Sequence, residues 1–238
     1  MSNEKNHTPR RTVDERLAHI AFIMDGNGRW AERRGMPRRF GHRYGAEAFK
    51  KVVKYCGDIG VKYVTVYAFS TENWSRPDKE VQSIMKLLDA YISECEKSAA
   101  DYDIKLRFIG DLSKLEPSLA EKARKLEVQT GDNSLTLCIA INYGGKDEIV
   151  HAFNKLIENG KTSITSDDIA SELYTAGIPD PDLIVRTAGE MRLSNFLMWQ
   201  SAYSELYFTD TLWPDMTHED IDKAVEAFYT RQRRYGKV

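Results

Sequence analysis

The chain has little of what marks a secreted or membrane-spanning protein. Its 238 residues include only three cysteines, Cys56, Cys95 and Cys138, isolated and odd in number. That excludes a disulfide framework, and none has the spacing of a zinc site. A reducing cytoplasm is the expected location. No apolar run approaches the roughly 20 residues that a membrane-spanning helix needs, and the polar opening, Met1 to Thr12, lacks the apolar stretch of a secretory signal. Any membrane contact is expected to be peripheral. Charge of one sign is missing too: the formal net charge is -2, so no global basic field draws in nucleic acid. No repeat, low-complexity tract or linker divides the sequence. Residues 1–12 are expected to be a disordered head and 13–238 a single domain.

What is present is concentrated first around His19 to Trp30. His19-Ile-Ala-Phe-Ile-Met24 is apolar, β-branched and aromatic enough for a buried strand. A single acid, Asp25, follows its end, and two glycines flank Asn27 before a helix-forming stretch from Trp30 to Arg34. Strand, tight turn and helix is an arrangement in which free backbone N–H groups at a helix start meet an anion. Six arginines (Arg29, Arg33, Arg34, Arg38, Arg39, Arg43) and His42 crowd the fifteen positions from Arg29, opposed only by Glu32. One carboxylate beside that much positive charge fits a phosphate site with a metal bridging acid and substrate. Asp-Gly and Asn-Gly also mark plain turns.

Further strands are expected at Tyr63 to Phe69, Ile104 to Ile109, Leu135 to Ile141, Leu183 to Val185 and Glu205 to Phe208. Helical patterns lie between them, the clearest being Asp78 to Ser98, with Val81, Ile84, Met85, Leu88, Tyr91, Ile92 and Cys95 on one face. Thr165 and Thr217 read as helix caps. Strands alternating with helices predict an α/β fold with a mainly parallel sheet flanked by helices. Ligands sit at the carboxyl ends of such strands, and three polar clusters fall there: Asp25, the Ser70-Thr-Glu-Asn-Trp-Ser-Arg76 loop, and the segment from Arg186.

In the second cluster, Ser70, Thr71, Glu72, Asn73, Trp74 and Arg76 read either as a polar binding loop or as a structural turn with Trp74 sealing the core. In the third, Arg186, Arg192 and Ser194 surround a glycine and suit a second phosphate group; an ordinary surface pair with Glu190 is the plainer reading. Glu205 and Asp25 are candidates for one metal site.

Taken together, Met24-Asp-Gly-Asn-Gly-Arg-Trp30, Gly41-His42, Tyr67-Ala-Phe-Ser-Thr-Glu-Asn-Trp-Ser-Arg-Pro77 and Arg186-Thr-Ala-Gly-Glu-Met-Arg-Leu-Ser-Asn-Phe-Leu-Met-Trp-Gln200 resemble the cis-prenyltransferases, the bacterial undecaprenyl diphosphate synthase type above all. The resemblance spans Val13 to the C-terminus. It implies repeated addition of isopentenyl diphosphate, with Z geometry, to an allylic diphosphate, typically farnesyl diphosphate. It implies Mg²⁺ as cofactor, on Asp25 with Glu205 completing the position. Gly26, Asn27, Gly28 and Arg29 would cradle the allylic diphosphate with Arg38, while Trp30 and His42 line that pocket. Ser70 to Trp74 and Arg76 would position substrate, and Arg186, Arg192, Leu193 and Ser194 would hold isopentenyl diphosphate. Asn73 is the family's usual candidate for proton removal, but an amide is a poor base, so Asn73 is expected to orient substrate while His42, Asp25 or a phosphate oxygen takes the proton. The Asp78 to Ser98 helix and the Val64 to Phe69 strand are expected to wall an apolar channel for the growing chain, with ordinary core packing the plainer reading. Arg234 resembles the element that reaches across the family's homodimer.

One position departs from the pattern: Ala188 stands where many relatives carry Ser or Gly, which removes a hydroxyl and leaves the arginines intact. A trans-prenyltransferase would need Asp-Asp-x-x-Asp motifs, and Asp167-Asp168 continues Ile-Ala-Ser. A non-catalytic partner subunit tends to lose Asp25 and the arginine set, both kept here. An RNA- or DNA-binding role for the arginine cluster sits poorly with the near-neutral net charge.

Overall fold

The computed structural model describes residues 12–98, 103–131 and 133–231. The expected disordered head, all but Thr12, lies outside the described residues, as does Arg234. Six strands form one sheet: β1 (His19–Ile23), β2 (Tyr63–Ser70), β3 (Ile104–Ile109), β4 (Leu135–Tyr143), β5 (Leu183–Arg186) and β6 (Glu205–Phe208), in the order β3-β4-β2-β1-β5-β6. Every neighbouring pair is parallel, so the sheet is wholly rather than mainly parallel. Parallel strands are covered on both faces, and β1 and β5 are accordingly buried along their whole length.

Alternation along β1 sorts the core. Ile20 and Phe22 join the large cluster under helices α2 (Arg38–Asp58), α3 (Asp78–Ser98), α4 (Pro117–Gln129) and α7 (His218–Thr230), whereas Ala21 and Ile23 pack on the opposite face with Ile184, Phe196 and Leu197. Helices α5 (Gly145–Glu158) and α6 (Ser166–Glu172) close that second side. Thr165 and Thr217 both cap as expected, each in a reciprocal capping box with the acid three residues on, Asp168 and Asp220.

The short helix α1 (Asn27–Glu32) starts three residues earlier than its helix-forming residues indicate. Gly26 takes the N-cap position at φ 100°, a left-handed conformation that lets β1 turn straight into helix. Close approach of α2 completes the turn: a Cβ on Gly41 would fall 1.8 Å from the Asn27 carbonyl oxygen, and one on Gly45 2.0 Å from Asn27 Oδ1. After β3 a 3-10 turn (Leu112–Lys114) precedes α4, whose first residue is Pro117.

β1 leads leftward to β2, whereas β5 lies on its other side, so the connections diverge between β1 and β5. Asp25 follows one of these strands and Arg186 ends the other, which places both at the switch point of the sheet. All three cysteines are free; burial pushes the Cys56 and Cys138 thiols up to about 12, which keeps them protonated and inert.

At the opposite end of β1, His19 is buried, its Nδ1 2.7 Å from the Pro179 carbonyl oxygen and its Nε2 2.7 Å from Thr65 Oγ1. Burial lowers its pKa to about 4, partly offset by the Pro179 carbonyl and Asp182. The folded state therefore holds His19 neutral where the unfolded chain, near 6.5, binds a proton. This contribution to stability is complete above about pH 6.5 and is lost as pH falls toward 4, on the order of 3 kcal/mol. Urea midpoints measured between pH 7.5 and 4.5 should fall along that window, and a His19→Gln variant should show a flatter profile.

Candidate active site

Asp25 is fixed from several sides as it leaves β1. Its backbone N–H donates to Thr187 Oγ1 (2.9 Å), and that hydroxyl donates back to the Asp25 carbonyl (2.7 Å). Its carboxylate accepts from the Gly26 N–H through Oδ1 (2.7 Å) and from Arg186 Nη2 through Oδ2 (2.9 Å). Arg186 is 4% exposed, and its Nη1 donates to Ser194 Oγ (2.6 Å) and to the Arg192 carbonyl. Its Nε–H is buried with no acceptor, a cost that a ligand or water at this point would relieve.

On the α1 side, no side chain caps the first turn, and the Arg38 guanidinium lies against Gly28, whose absent Cβ would meet it at 2.4 Å. Backbone N–H groups beside an arginine form an anion cradle. Arg38 Nη1 donates to Glu32 (2.9 Å), and its Nε is 3.6 Å from Glu80 Oε2. Glu80 also accepts from Arg76 Nη1 (3.0 Å) and faces His42 Nε2 at 3.4 Å. Burial is the largest influence on His42 and lowers its pKa; Arg76 and Arg38 also lower it, while Glu80 raises it. The imidazole is thus neutral at neutral pH.

The turn after β2 is a reciprocal capping box: the Asn73 carboxamide oxygen accepts from the Ser70 N–H (3.2 Å) while the Ser70 side chain accepts from the Asn73 backbone. This leaves the Asn73 NH₂ as a donor. Asp25, Asn73 and Arg192 line one cleft of about 650 Å³, together with Gly26, Asn27 and Gly28 from the first turn and Arg38 and His42 from α2. Ser70, Glu72 and Arg76 from the second cluster and Arg186 and Ser194 from the third complete it among the sequence-predicted residues. Four arginines face two carboxylates there, a surplus of positive charge.

Met24, Asn27, His42, Ala68 and Ile84 belong both to this cleft and to an adjoining apolar cavity of about 120 Å³. The cavity runs between α2, α3 and the sheet, past Phe49, Leu88, Leu106 and Leu137. The expected wall from α3 and β2 is there, with Val66 and Ala68 supplied by the strand.

Among the described residues no three His, Cys, Asp or Glu side chains gather to hold a metal unaided. Mg²⁺ asks for less: one or two carboxylates, waters and the phosphates of a substrate. The Asp25 side chain is 33% exposed and lines the cleft, so the donor set fits Mg²⁺ brought in with a diphosphate.

Several expected positions fall elsewhere. Glu205 opens β6 in register with Leu183, whereas Arg186, at the Asp25 end, pairs with Phe208. It therefore sits at the opposite end of the strands, accepting from Arg231 Nη1 (2.8 Å), and one chain does not bring it to a metal on Asp25. Trp30 does not line the cleft. Its ring packs with Ala31, Ala188 and Leu212, its Nε1–H donates to Asp215 (2.6 Å), and Arg34 stacks on it at 4.0 Å. The Ala188 departure thus alters packing in that cluster. Thr71 and Trp74 turn to the far side of their loop, bonding Asp147 (3.0 Å) and Asn142 (2.7 Å). Trp74 is 42% exposed there, so it does not seal the core. Leu193 packs against the cluster containing Phe196, and Arg29 stays at the rim, 3.8 Å from Asp25 Oδ1 and 3.4 Å from Glu190. The plain pair of Arg192 with Glu190 is present as well.

Glu80 escaped sequence reading because it looks like any charged residue in the first turn of a helix. Thr187 and Asn195 escaped it for a related reason: their roles depend on partners 162 and 123 positions away.

The family described as "Putative undecaprenyl diphosphate synthase" matches residues 23–236. An isoprenyl transferase of Fusobacterium nucleatum is 52% identical over 221 residues, 92% of this chain and 96% of that protein. One from Aquifex aeolicus is 44% identical over the same shares of each chain. Among solved structures, lavandulyl diphosphate synthase from Lavandula x intermedia, in complex with dimethylallyl diphosphate, superposes with a TM-score of 0.89 at 32% identity, covering 94% of this chain and 100% of that one. A probable undecaprenyl diphosphate synthase from Campylobacter jejuni gives 0.80 at 34% identity, with the same coverage. A parallel α/β sheet of this topology, joining an acid-and-arginine cleft to an apolar cavity, is that of a prenyltransferase of the cis type. The chain belongs to the undecaprenyl diphosphate synthase family, whose curated members are named isoprenyl transferases.

The Glu80 network makes a spectroscopic prediction. In an NMR titration His42 should have a midpoint below the ordinary imidazole value of 6.5. Glu80→Gln removes the influence that raises it, so the midpoint should move lower still; an upward move would show that Glu80 does not govern this ring.

Proposed function

We propose that this chain is a Mg²⁺-dependent enzyme that condenses isopentenyl diphosphate repeatedly with an allylic diphosphate, typically farnesyl diphosphate. The product is a long Z-polyprenyl diphosphate, undecaprenyl diphosphate, the lipid carrier for cell-wall synthesis. The observation that carries this reading is a single cleft with cationic groups on both sides of Asp25, opening onto an apolar cavity. The dimethylallyl diphosphate in the lavandulyl diphosphate synthase structure is itself an allylic diphosphate, which supports that substrate class.

The Gly26 to Gly28 backbone with Arg38 binds the allylic diphosphate, and Arg186, Arg192 and Ser194 bind isopentenyl diphosphate. When bound, Mg²⁺ supplies Lewis-acid neutralisation of diphosphate charge beside Asp25. As the allylic C–O bond breaks, its electron pair leaves with the diphosphate, and the fixed N–H and guanidinium donors meet the charge where it develops. The isopentenyl double bond attacks the allylic carbon, and the resulting cation loses one proton. Asn73 orients substrate, because its oxygen already accepts from the Ser70 N–H. His42, neutral and shared by cleft and cavity, accepts the proton at the junction where the new C–C bond forms.

We also propose a homodimer. Helix α5 exposes Val150, Phe153 and Ile157, the first and last 58% and 62% exposed, on one apolar face. Arg234, placed outside the described residues, would complete the neighbour's site. Replacing Phe153 and Ile157 together with glutamate should shift the sedimenting species from dimer to monomer; an unchanged species would exclude this face. No helix among the described residues is long and apolar enough to cross a membrane, so product release involves peripheral membrane contact in this reading.

Incubation with labelled isopentenyl diphosphate, farnesyl diphosphate and Mg²⁺, followed by sizing of the lipid, tests the activity. Asp25→Asn is the informative variant, because its amide oxygen still accepts from Arg186 and only the bond from the Gly26 N–H is lost. Asp25→Ala would leave that buried guanidinium without its carboxylate, which destabilises the fold as well as the site. Asp25→Asn should lose at least about 10²-fold in turnover with a near-normal Tm. Activity near that of the unchanged protein would remove Asp25 from the chemistry.

A further inference from the structure

The two polar clusters that bracket the cleft meet at one side chain, Asn195, which itself lines it. Asn195 sits in left-handed backbone (φ 63°), one residue past Ser194 (φ 50°), and these successive positive φ values turn the two side chains toward different partners. Ser194 faces Arg186, while Asn195 Nδ2 donates to Glu72 Oε1 (2.9 Å) and Asn195 Oδ1 accepts from the Lys146 N–H (2.8 Å). The Asn195 carbonyl accepts from the Gly145 N–H (2.7 Å), which ties the segment to the start of α5. The next residue, Phe196, is fully buried and stacks on Tyr67 at 4.5 Å, so the segment cannot drift. Burial pushes the Glu72 carboxyl up, but the Asn195 N–H and the other donors around it hold it below the ordinary carboxylate value, so it stays ionised as acceptor.

We propose that Asn195 is a positioning residue that clasps the Thr71–Ser75 turn, which carries Glu72 and Asn73, to the Arg186/Arg192 pocket, so that one side chain sets the spacing between the two halves of the cleft. The proposal rests on the prenyltransferase reading only for its kinetic readout. Misplacing groups at this distance by a fraction of an ångström costs catalysis far more than stability.

The test reverses the donor. Asn195→Asp keeps an acceptor for the Lys146 N–H but sets two carboxylates against each other. Adding Glu72→Gln restores a bond with its direction inverted, the new amide donating to the new carboxylate. Asn195→Asp should lower kcat/KM by about 10²-fold, chiefly through KM for isopentenyl diphosphate, and should lower Tm by a few degrees. Measured against Glu72→Gln alone, which sets the baseline for that cleft residue, the double variant should regain most of both. Recovery of Tm without recovery of KM, or loss in kcat alone, would overturn the positioning role. Recovery of neither in a protein that still folds would overturn the clasp itself. Inactive starting protein would fail the prenyltransferase reading instead, and the Tm cycle would still decide whether the clasp exists.

Discussion

The ion pair between Arg186 and Asp25 is the contact on which the rest of the site depends. Two parallel strands, β1 and β5, end side by side, and the pair spans their ends at 2.9 Å with Thr187 stapling the backbones beneath it. An arginine this buried is costly unless its N–H groups find acceptors. Three acceptors are present: Asp25, Ser194 and the Arg192 carbonyl take bonds from the two Nη atoms, while the buried Nε lacks one. Arg186 thereby gathers the first strand's acid and the third cluster around one cation. A hydrophobic replacement of similar volume would gather none of these groups.

Backbone that side chains would not permit surrounds this pair. On one side, Gly41 and Gly45 let Asn27 press onto α2 so closely that any Cβ would overlap it. On the other, Ala188, Ser194, Asn195 and Leu197 all carry positive φ, in each case at a cost of about 1–3 kcal/mol for a residue with a side chain. That strain is borne by what encloses the segment: Phe196 between Tyr67 and Tyr143, and Gln200 donating to the buried Glu148 and Thr175. The loop that presents Arg192 and Ser194 is therefore rigid because its ends are core, not because its own conformation is favourable.

The strands and their terminal polar residues were legible because period, β-branching and glycine position are local properties; all six strands end within two residues of expectation, as with Leu135–Tyr143 against Ile141, and Ile104–Ile109 and Glu205–Phe208 agree outright. The cleft was legible for the same reason: residues that follow parallel strands share a rim whatever the helices do. Direction was not legible. Trp30 and Gly28 sit two residues apart in one helix, yet Gly28 faces the cleft and Trp30 a separate apolar cluster, a difference of helical phase set by where α1 begins. Thr71 and Trp74 leave their turn on the opposite side from Asn73 for a similar reason, the 3-10 geometry of Thr71–Ser75. Glu205 needed strand register, which no single stretch of sequence encodes.

The boundary between polar cleft and apolar cavity finally accounts for the order of the chemistry. Met24, Ala68 and Ile84 belong to both spaces, so the polar cleft passes directly into the hydrocarbon wall. In the proposed reaction a diphosphate would be held by charge at one side and an isoprenoid tail by area at the other, which would leave the reacting carbons only the junction. His42 stands at that junction, neutral because it is buried and kept from greater acidity by Glu80. Glu80 in turn is held at 14% exposure by the two arginines that flank the cleft. The acid that steadies both arginines thus also tunes the imidazole, and in the proposed mechanism this would couple anion binding to proton acceptance through one carboxylate outside the cleft lining.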